Sequence, residues 1–249
     1  MRLNNNEKIK LNFNWLIVNF KIKQMKKVLT TALFFFLFSV FAQENNNYQQ
    51  AYDYINEMLQ DKDSLSFVSA VVAVEAAYLD GELDIDAFSQ ELYLLGQLIK
   101  TICKRNLINY IGKDRAEIIK HAAIFRVLTD SIPIFIDSTT IFMHLPYTYD
   151  FEDAYGHKDW TKMFVSKLLA TGKGNCHSLP YLYKILADEL GVKCYIASAP
   201  NHIYIKAHSQ AKGWYNTELT SATFPVDAWI IASGYVTTTA IQNVCTWIR

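Results

Sequence analysis

Thr171-Gly172-Lys173-Gly174-Asn175-Cys176-His177-Ser178-Leu179-Pro180-Tyr181 is the stretch on which the reading of this chain turns. Two glycines deliver a cysteine to the start of a run, 176–190, in which Leu179, Leu182, Ile185, Leu186 and Leu190 recur at helical spacing and Gly191 supplies a stop. Pro180 fits there, because the first helical turn has no hydrogen bond for its nitrogen to break. A cysteine attacks as its thiolate, and a free thiol with a pKa of about 8.5 is mostly protonated at neutral pH. The positive end of a helix favours the anion, and backbone amides at a helix start can point at an oxyanion. The glycines are expected to leave the face of Cys176 open to a substrate. The same residues also suit a tight turn with no chemistry in it, and on local sequence alone both readings stand.

Downstream, 193–198, 201–207 and 213–219 read as three short strands, with Ala199-Pro200 and 209–212 as the turns between them. Strand alternation puts His202, Tyr204 and Lys206 on one face and Ile203, Ile205 and Ala207 on the other. The aliphatic face belongs on the core, so His202 looks toward the polar side. In the next strand Trp214, Asn216 and Glu218 share a face. Glu218 can then lie beside His202 and hold the imidazole by one nitrogen, leaving the other for the thiol.

Upstream the pattern is helical. Residues 48–60 are amphipathic, and 65–79 is apolar on most sides, which implies a helix buried among other helices. Residues 84–105 and 114–129 repeat the three-or-four spacing through Phe88, Leu92, Leu95 and Ile99, then Ile118, Ala122 and Phe125. Residues 132–149, rich in β-branched and aromatic side chains, suit one short strand and loops. Trp160, Phe164 and Leu168 stripe a helix that stops at Gly172. Helices first, then a cysteine-bearing helix, then an antiparallel meander is an α+β plan. A helical layer is expected over 43–130 and a core over 131–249, together one globular unit.

Gly174-x-Cys176 at a helix start, His202-x-Tyr204 on a strand and Trp214-x-x-x-Glu218-x-Thr220 on the next resemble the transglutaminase-like superfamily. The resemblance covers roughly 146–229 and implies a papain-type α+β core, with the nucleophile helix packed on a short antiparallel sheet and a Cys-His-acid triad. Carried over, Cys176 is the nucleophile, His202 the general base and acid, and Glu218 the orienting acid. The family usually has Asp at the position of Glu218, and often Trp where this chain has Tyr204. His177, Asn175, Asn216, Trp214 and Tyr204 are candidates for supporting or cleft residues. Tyr147, Tyr149, Tyr155 and Trp160 are candidates for either a cleft wall or the core.

Residues 1–42 read as an address rather than as fold. Met25-Lys26-Lys27 opens a basic region, 28–41 is nearly all apolar, and Val40-Phe41-Ala42 offers a cleavage site before Gln43, the build of a secretory signal peptide. The apolar run falls short of the about 20 residues of a membrane span. Residues 1–24 read as an upstream extension ahead of the true start, and an uncleaved anchor is the alternative. Of the 24 basic and 24 acidic residues, seven basic and one acidic fall in 1–42, so 43–249 carries 17 and 23, a net of −6. That balance argues against nucleic acid as a partner. Of the four cysteines, Cys103 and Cys194 read as small buried hydrophobes. His121, His144, His157 and His208 have no metal-ligand spacing, and Asp150, Glu152 and Asp153 read as a solvated loop. The expectation is therefore an exported, periplasmic or secreted cysteine-dependent acyl transferase or hydrolase acting on a peptide or protein, read as hydrolytic (a peptidase or amidase) ahead of amine-transferring crosslinking, with no metal and no cofactor. A non-catalytic module binding peptide or glycan is the alternative, and a metal-dependent hydrolase a distant third.

Overall fold

Four helices lead the described part of the chain: α1 (46–60), α2 (Phe67–Tyr78), α3 (Ile85–Cys103) and α4 (Arg115–Thr129). The computed structural model describes residues 46–61, 65–105, 108–135, 137, 139–199 and 201–232. The expected upstream extension, the expected signal peptide and Cys245 lie outside them. Ser66 caps α2 by accepting the Ser69 N–H at 3.2 Å, and Asp84 caps α3 by accepting the Ala87 N–H at 2.9 Å. Each such cap is worth about 1 kcal/mol. Asp114, at the expected start of α4, makes no cap. Its carboxylate instead accepts the Tyr110 hydroxyl and the Gln210 N–H, both at 2.8 Å, tying a downstream turn to the helical layer.

The helix expected to be wrapped on all sides is not. In α2, Val71, Glu75 and Ala77 are buried while Val74 and Tyr78 are exposed, because α2 packs chiefly against one helix, α6. The segment 132–149 holds more strand than expected: β1 (Ile132–Phe135) and β2 (Ile141–His144) form an antiparallel hairpin, and β3 (Thr148–Tyr149) follows. The Trp160 stripe is also broken. A 3-10 turn over Trp160–Met163 is followed by Phe164 in extended backbone (φ −88°, ψ 142°), and only then does α5 (Val165–Thr171) begin.

β4 (Lys173–Gly174) pairs in parallel with β3, and α6 (Ser178–Glu189) follows. The sheet β5 (Tyr195–Ala199), β6 (His202–Ser209) and β7 (Gly213–Thr217) is an antiparallel meander in the order β5-β6-β7. α7 (Asp227–Ala232) closes the described chain. The architecture is α+β.

α6 is buried on most sides because α2, α3, α4 and α5 lie against it, and so do β5 and β6, which leaves one open side where Lys184 pairs with Asp188. Leu182, Leu186, Ile124, Leu168 and Ile205 are fully buried in one apolar cluster that runs from Val71 in the helical layer to Leu219 beyond β7. At about 1.5–3 kcal/mol for each fully buried aliphatic side chain, this shared core holds the cysteine helix against both layers. The opposite face of the sheet has a smaller apolar cluster, in which Ile230 of α7 sits on Ala197 and Tyr204.

Candidate active site

Cys176 is delivered by a chain of backbone constraints. The Glu75 carboxylate, buried in α2, accepts the Val165 and Ser166 N–H groups at 2.7 and 3.0 Å and so caps the start of α5. Burial pushes the Glu75 carboxyl upward in pKa, and its hydrogen bonds at Ser166 and Val165 oppose that rise. α5 ends at Gly172, whose φ of +68° is the left-handed conformation glycine adopts freely. β4 then runs beside β3, with Thr148 N–H donating to Gly172 O at 2.8 Å and Asp150 N–H to Gly174 O at 2.7 Å.

Gly174 does not open the cysteine to solvent. A Cβ there would meet Ser178 Oγ at 2.4 Å and Leu168 Cδ1 at 2.8 Å, so the glycine serves close packing. Cys176 keeps 4% of its surface exposed. Asn175 and Ser178 form a reciprocal capping box. Asn175 Oδ1 accepts the N–H groups of His177 (3.0 Å) and Ser178 (3.3 Å), and Ser178 Oγ accepts the Asn175 N–H (3.0 Å). The first intrahelical bond, Leu179 N–H to Asn175 O at 3.2 Å, makes Cys176 the first residue of the helical turn. Ser178 also donates to Lys162 O at 3.2 Å, linking the helix start to the 3-10 turn.

The sheet brings the other two groups. The register Ala199↔His202 and Lys206↔Asn216 puts His202, Tyr204, Asn216 and Glu218 on one face. His202 and Glu218 are both buried, and His202 Nε2 lies 2.5 Å from Glu218 Oε2. The second carboxylate oxygen accepts the Thr220 N–H at 3.0 Å and the Thr220 hydroxyl at 2.7 Å. The reach of the longer acid is thereby accommodated: Glu218 pairs with Thr223 through two backbone bonds of 2.9 Å, and the short turn between them returns Thr220 onto its carboxylate. Nδ1 of His202 is left for the thiol, with which the ring is in hydrogen-bond contact.

The electrostatics of the three groups are mutually dependent. Burial pushes the Cys176 thiol up, but hydrogen bonds from His177 and His202 outweigh it and bring the pKa down to about 6. Burial disfavours the His202 cation, yet Cys176 and Glu218 raise it to about 9. For Glu218 burial again works against the charge, and His202 and Thr220 hold the carboxyl below its ordinary value. Between these limits the favoured state is a thiolate beside an imidazolium, with the carboxylate behind it.

Other expected site residues fall differently. His177 Nδ1 lies 3.7 Å from Cys176 Sγ. Tyr204 stacks on His202, with ring centroids 6.3 Å apart and planes 18° apart. Asn175 is a helix cap. Asn216 bonds Asp227 Oδ1 (2.7 Å) and Pro225 O (3.1 Å), tying α7 to the sheet rather than serving the thiol. Trp214 lies six residues along the sheet from the His202 position, roughly 20 Å away, against Tyr195 and His208. Tyr147 and Tyr149 pack on the core, whereas Tyr155 and Trp160 are exposed. The expected solvated loop is in fact tied down. Asp150 pairs with Lys162 and accepts the Glu152 N–H, while buried Asp153 accepts the N–H groups of Lys158 and Asp159. The capping roles of Asn175 and Ser178 were not anticipated, although an Asn three residues ahead of a Ser at a helix start is a signal that could have found them. Glu75 carried no local sign of its partner, 90 residues away. A mostly apolar cavity of about 730 Å³, lined by Met58, Phe67, Leu92 and Ile185 among others, does not include Cys176. Among the described residues no group of three or more His, Cys, Asp or Glu side chains could hold a metal ion, and no helix is long and apolar enough to cross a membrane. Comparison with protein-family models, with curated proteins and with solved structures found no match.

Proposed function

We propose that the chain is a cysteine-dependent acyl hydrolase of transglutaminase-like type, exported before it acts, that cleaves amide bonds in a peptide or protein. The observation that carries this reading is the continuous contact from Cys176 through His202 to Glu218, with Nε2 2.5 Å from the carboxylate. In the proposed reaction the Cys176 thiolate attacks the amide carbonyl carbon. A C–S bond forms, and the carbonyl π pair moves to oxygen. The oxyanion then collapses, the C–N bond breaks, and His202 gives its proton to the departing amine. Neutral His202 next takes a proton from water as that water attacks the thioester, which releases the acid and returns the thiolate. Glu218 holds the imidazole and compensates its charge throughout.

The test is incubation with an activated ester, p-nitrophenyl acetate, followed by mass spectrometry of the intact chain. An acetyl adduct on Cys176 that is lost in His202→Ala is expected. Acetylation no faster than that of a small free thiol rejects the reading. A binding module is the second reading, favoured by the 4% exposure of Cys176. Ligand binding that survives Cys176→Ala, with no turnover by the unmodified chain, selects it.

A further inference from the structure

The helix that carries Cys176 withholds the amides a helix start would offer to an oxyanion. Asn175 Oδ1 already accepts the N–H groups of both His177 and Ser178. Among the described residues only the Cys176 N–H at this helix start has no partner, and one donor is a weak oxyanion site. The His177 side chain stands beside the same sulfur, with Nδ1 3.7 Å from Sγ. Its ring is set edge-on to Tyr181 one turn along the helix, at 6.3 Å between centroids and 81° between planes. A carbonyl oxygen on a carbon bonded to Sγ comes within reach of that nitrogen.

We infer that His177, through Nδ1–H, is the second donor to the oxyanion and so a catalytic residue, an inference that rests on the proposed acyl chemistry of Cys176. In the resting site this nitrogen faces the sulfur at 3.7 Å, and the Nδ1–H tautomer donates to the thiolate there. Once the C–S bond forms, sulfur loses its negative charge and the displaced carbonyl electrons reside on oxygen. The same N–H then serves that oxygen and keeps its proton, while His202 alone carries out the proton transfers. His202 and His177 thus divide the work that one imidazole and a backbone amide would otherwise share.

Two reactions of the same sulfur test this. Acylation by p-nitrophenyl acetate passes through an oxyanion, whereas alkylation by iodoacetamide displaces iodide without one. His177→Phe keeps a ring against Tyr181 and has no donor, while His177→Asn puts an N–H near the Nδ1 position. Relative to alkylation at the same pH, acylation is expected to fall about 100-fold in His177→Phe and to be largely restored in His177→Asn. Equal losses in both reactions, or no loss in either, overturn the inference and leave the Cys176 chemistry standing. Absence of Cys176-dependent acylation in the unmodified chain overturns both.

Discussion

Glu218 carries the longer of the two acidic side chains, and its second oxygen is held by Thr220. Glu218→Gln keeps the shape and removes the charge that favours imidazolium. Turnover of a p-nitrophenyl ester is expected to fall between about 100-fold and 10,000-fold, in line with loss of the acid in other triads. Retention of rate would detach Glu218 from the chemistry. The pH dependence follows from the two shifted groups. The thiol titrates at about 6, so activity is lost below it, and His202 titrates at about 9, so activity is lost above it. A bell in kcat/KM with those limbs is expected, and a single rise toward alkaline pH would contradict the ion pair. That His202 and Glu218 share a face was legible from strand parity, whereas their meeting with Cys176 was suggested by the resemblance and not by local pattern alone. The low exposure of the thiol was not legible, because Gly174 as readily implies open space as the close approach of Ser178 and Leu168 that it permits.

The start of α6 is an assembly of small parts, and two of them can be removed singly. Ser178→Ala deletes one half of the capping box and the bond to Lys162 O. A thermal melt should register a loss of about 1 kcal/mol, with a further fall in activity because Cys176 sits in that turn. Gly174→Ala forces a Cβ to within 2.4 Å of Ser178 Oγ, so overpacking of about 1–3 kcal/mol is expected. A Gly174→Ala variant as stable as the parent chain would show that the turn relaxes freely. The helix ends were readable from Gly172 and Gly191. The break at Phe164 was not, because the stripe of Trp160, Phe164 and Leu168 keeps helical spacing across it. The buried Glu75 cap of α5 was hidden for another reason: one carboxylate in an apolar helix gives no hint of two amides 90 and 91 residues on.

At the scale of the molecule, one core joins the helical layer to the sheet that carries His202, and it contains a buried imidazole outside the proposed site. His121 lies against Tyr183, with Nδ1 3.0 Å from the phenol oxygen, and burial lowers its pKa from 6.5 to about 4. Below pH 6.5 the unfolded chain takes up this proton and the folded chain does not. Stability is therefore expected to decline as pH falls from about 6.5 to about 4, by up to about 3 kcal/mol. His121→Gln should flatten that part of a denaturation profile, and an unchanged slope would assign the loss elsewhere. The α+β order was legible from the change of period after 176–190, since helical spacing gives way to alternation. The cover over the polar face of the sheet was not, because α7 is only six residues long. It is held there by Asp227 contacts to Lys206 and Asn216 and by Ile230 on Tyr204, none of which sequence spacing suggests.

All three scales meet in the protonation state of one sulfur. The rate of iodoacetamide labelling at Cys176, followed by mass spectrometry from about pH 4 to about pH 9, reads that state without a substrate. The expected result is a rise with its midpoint at about 6 and a plateau through neutral pH, shifted upward in His202→Ala. A midpoint at about 8.5, that of a free thiol, in the unmodified chain would contradict an activated Cys176.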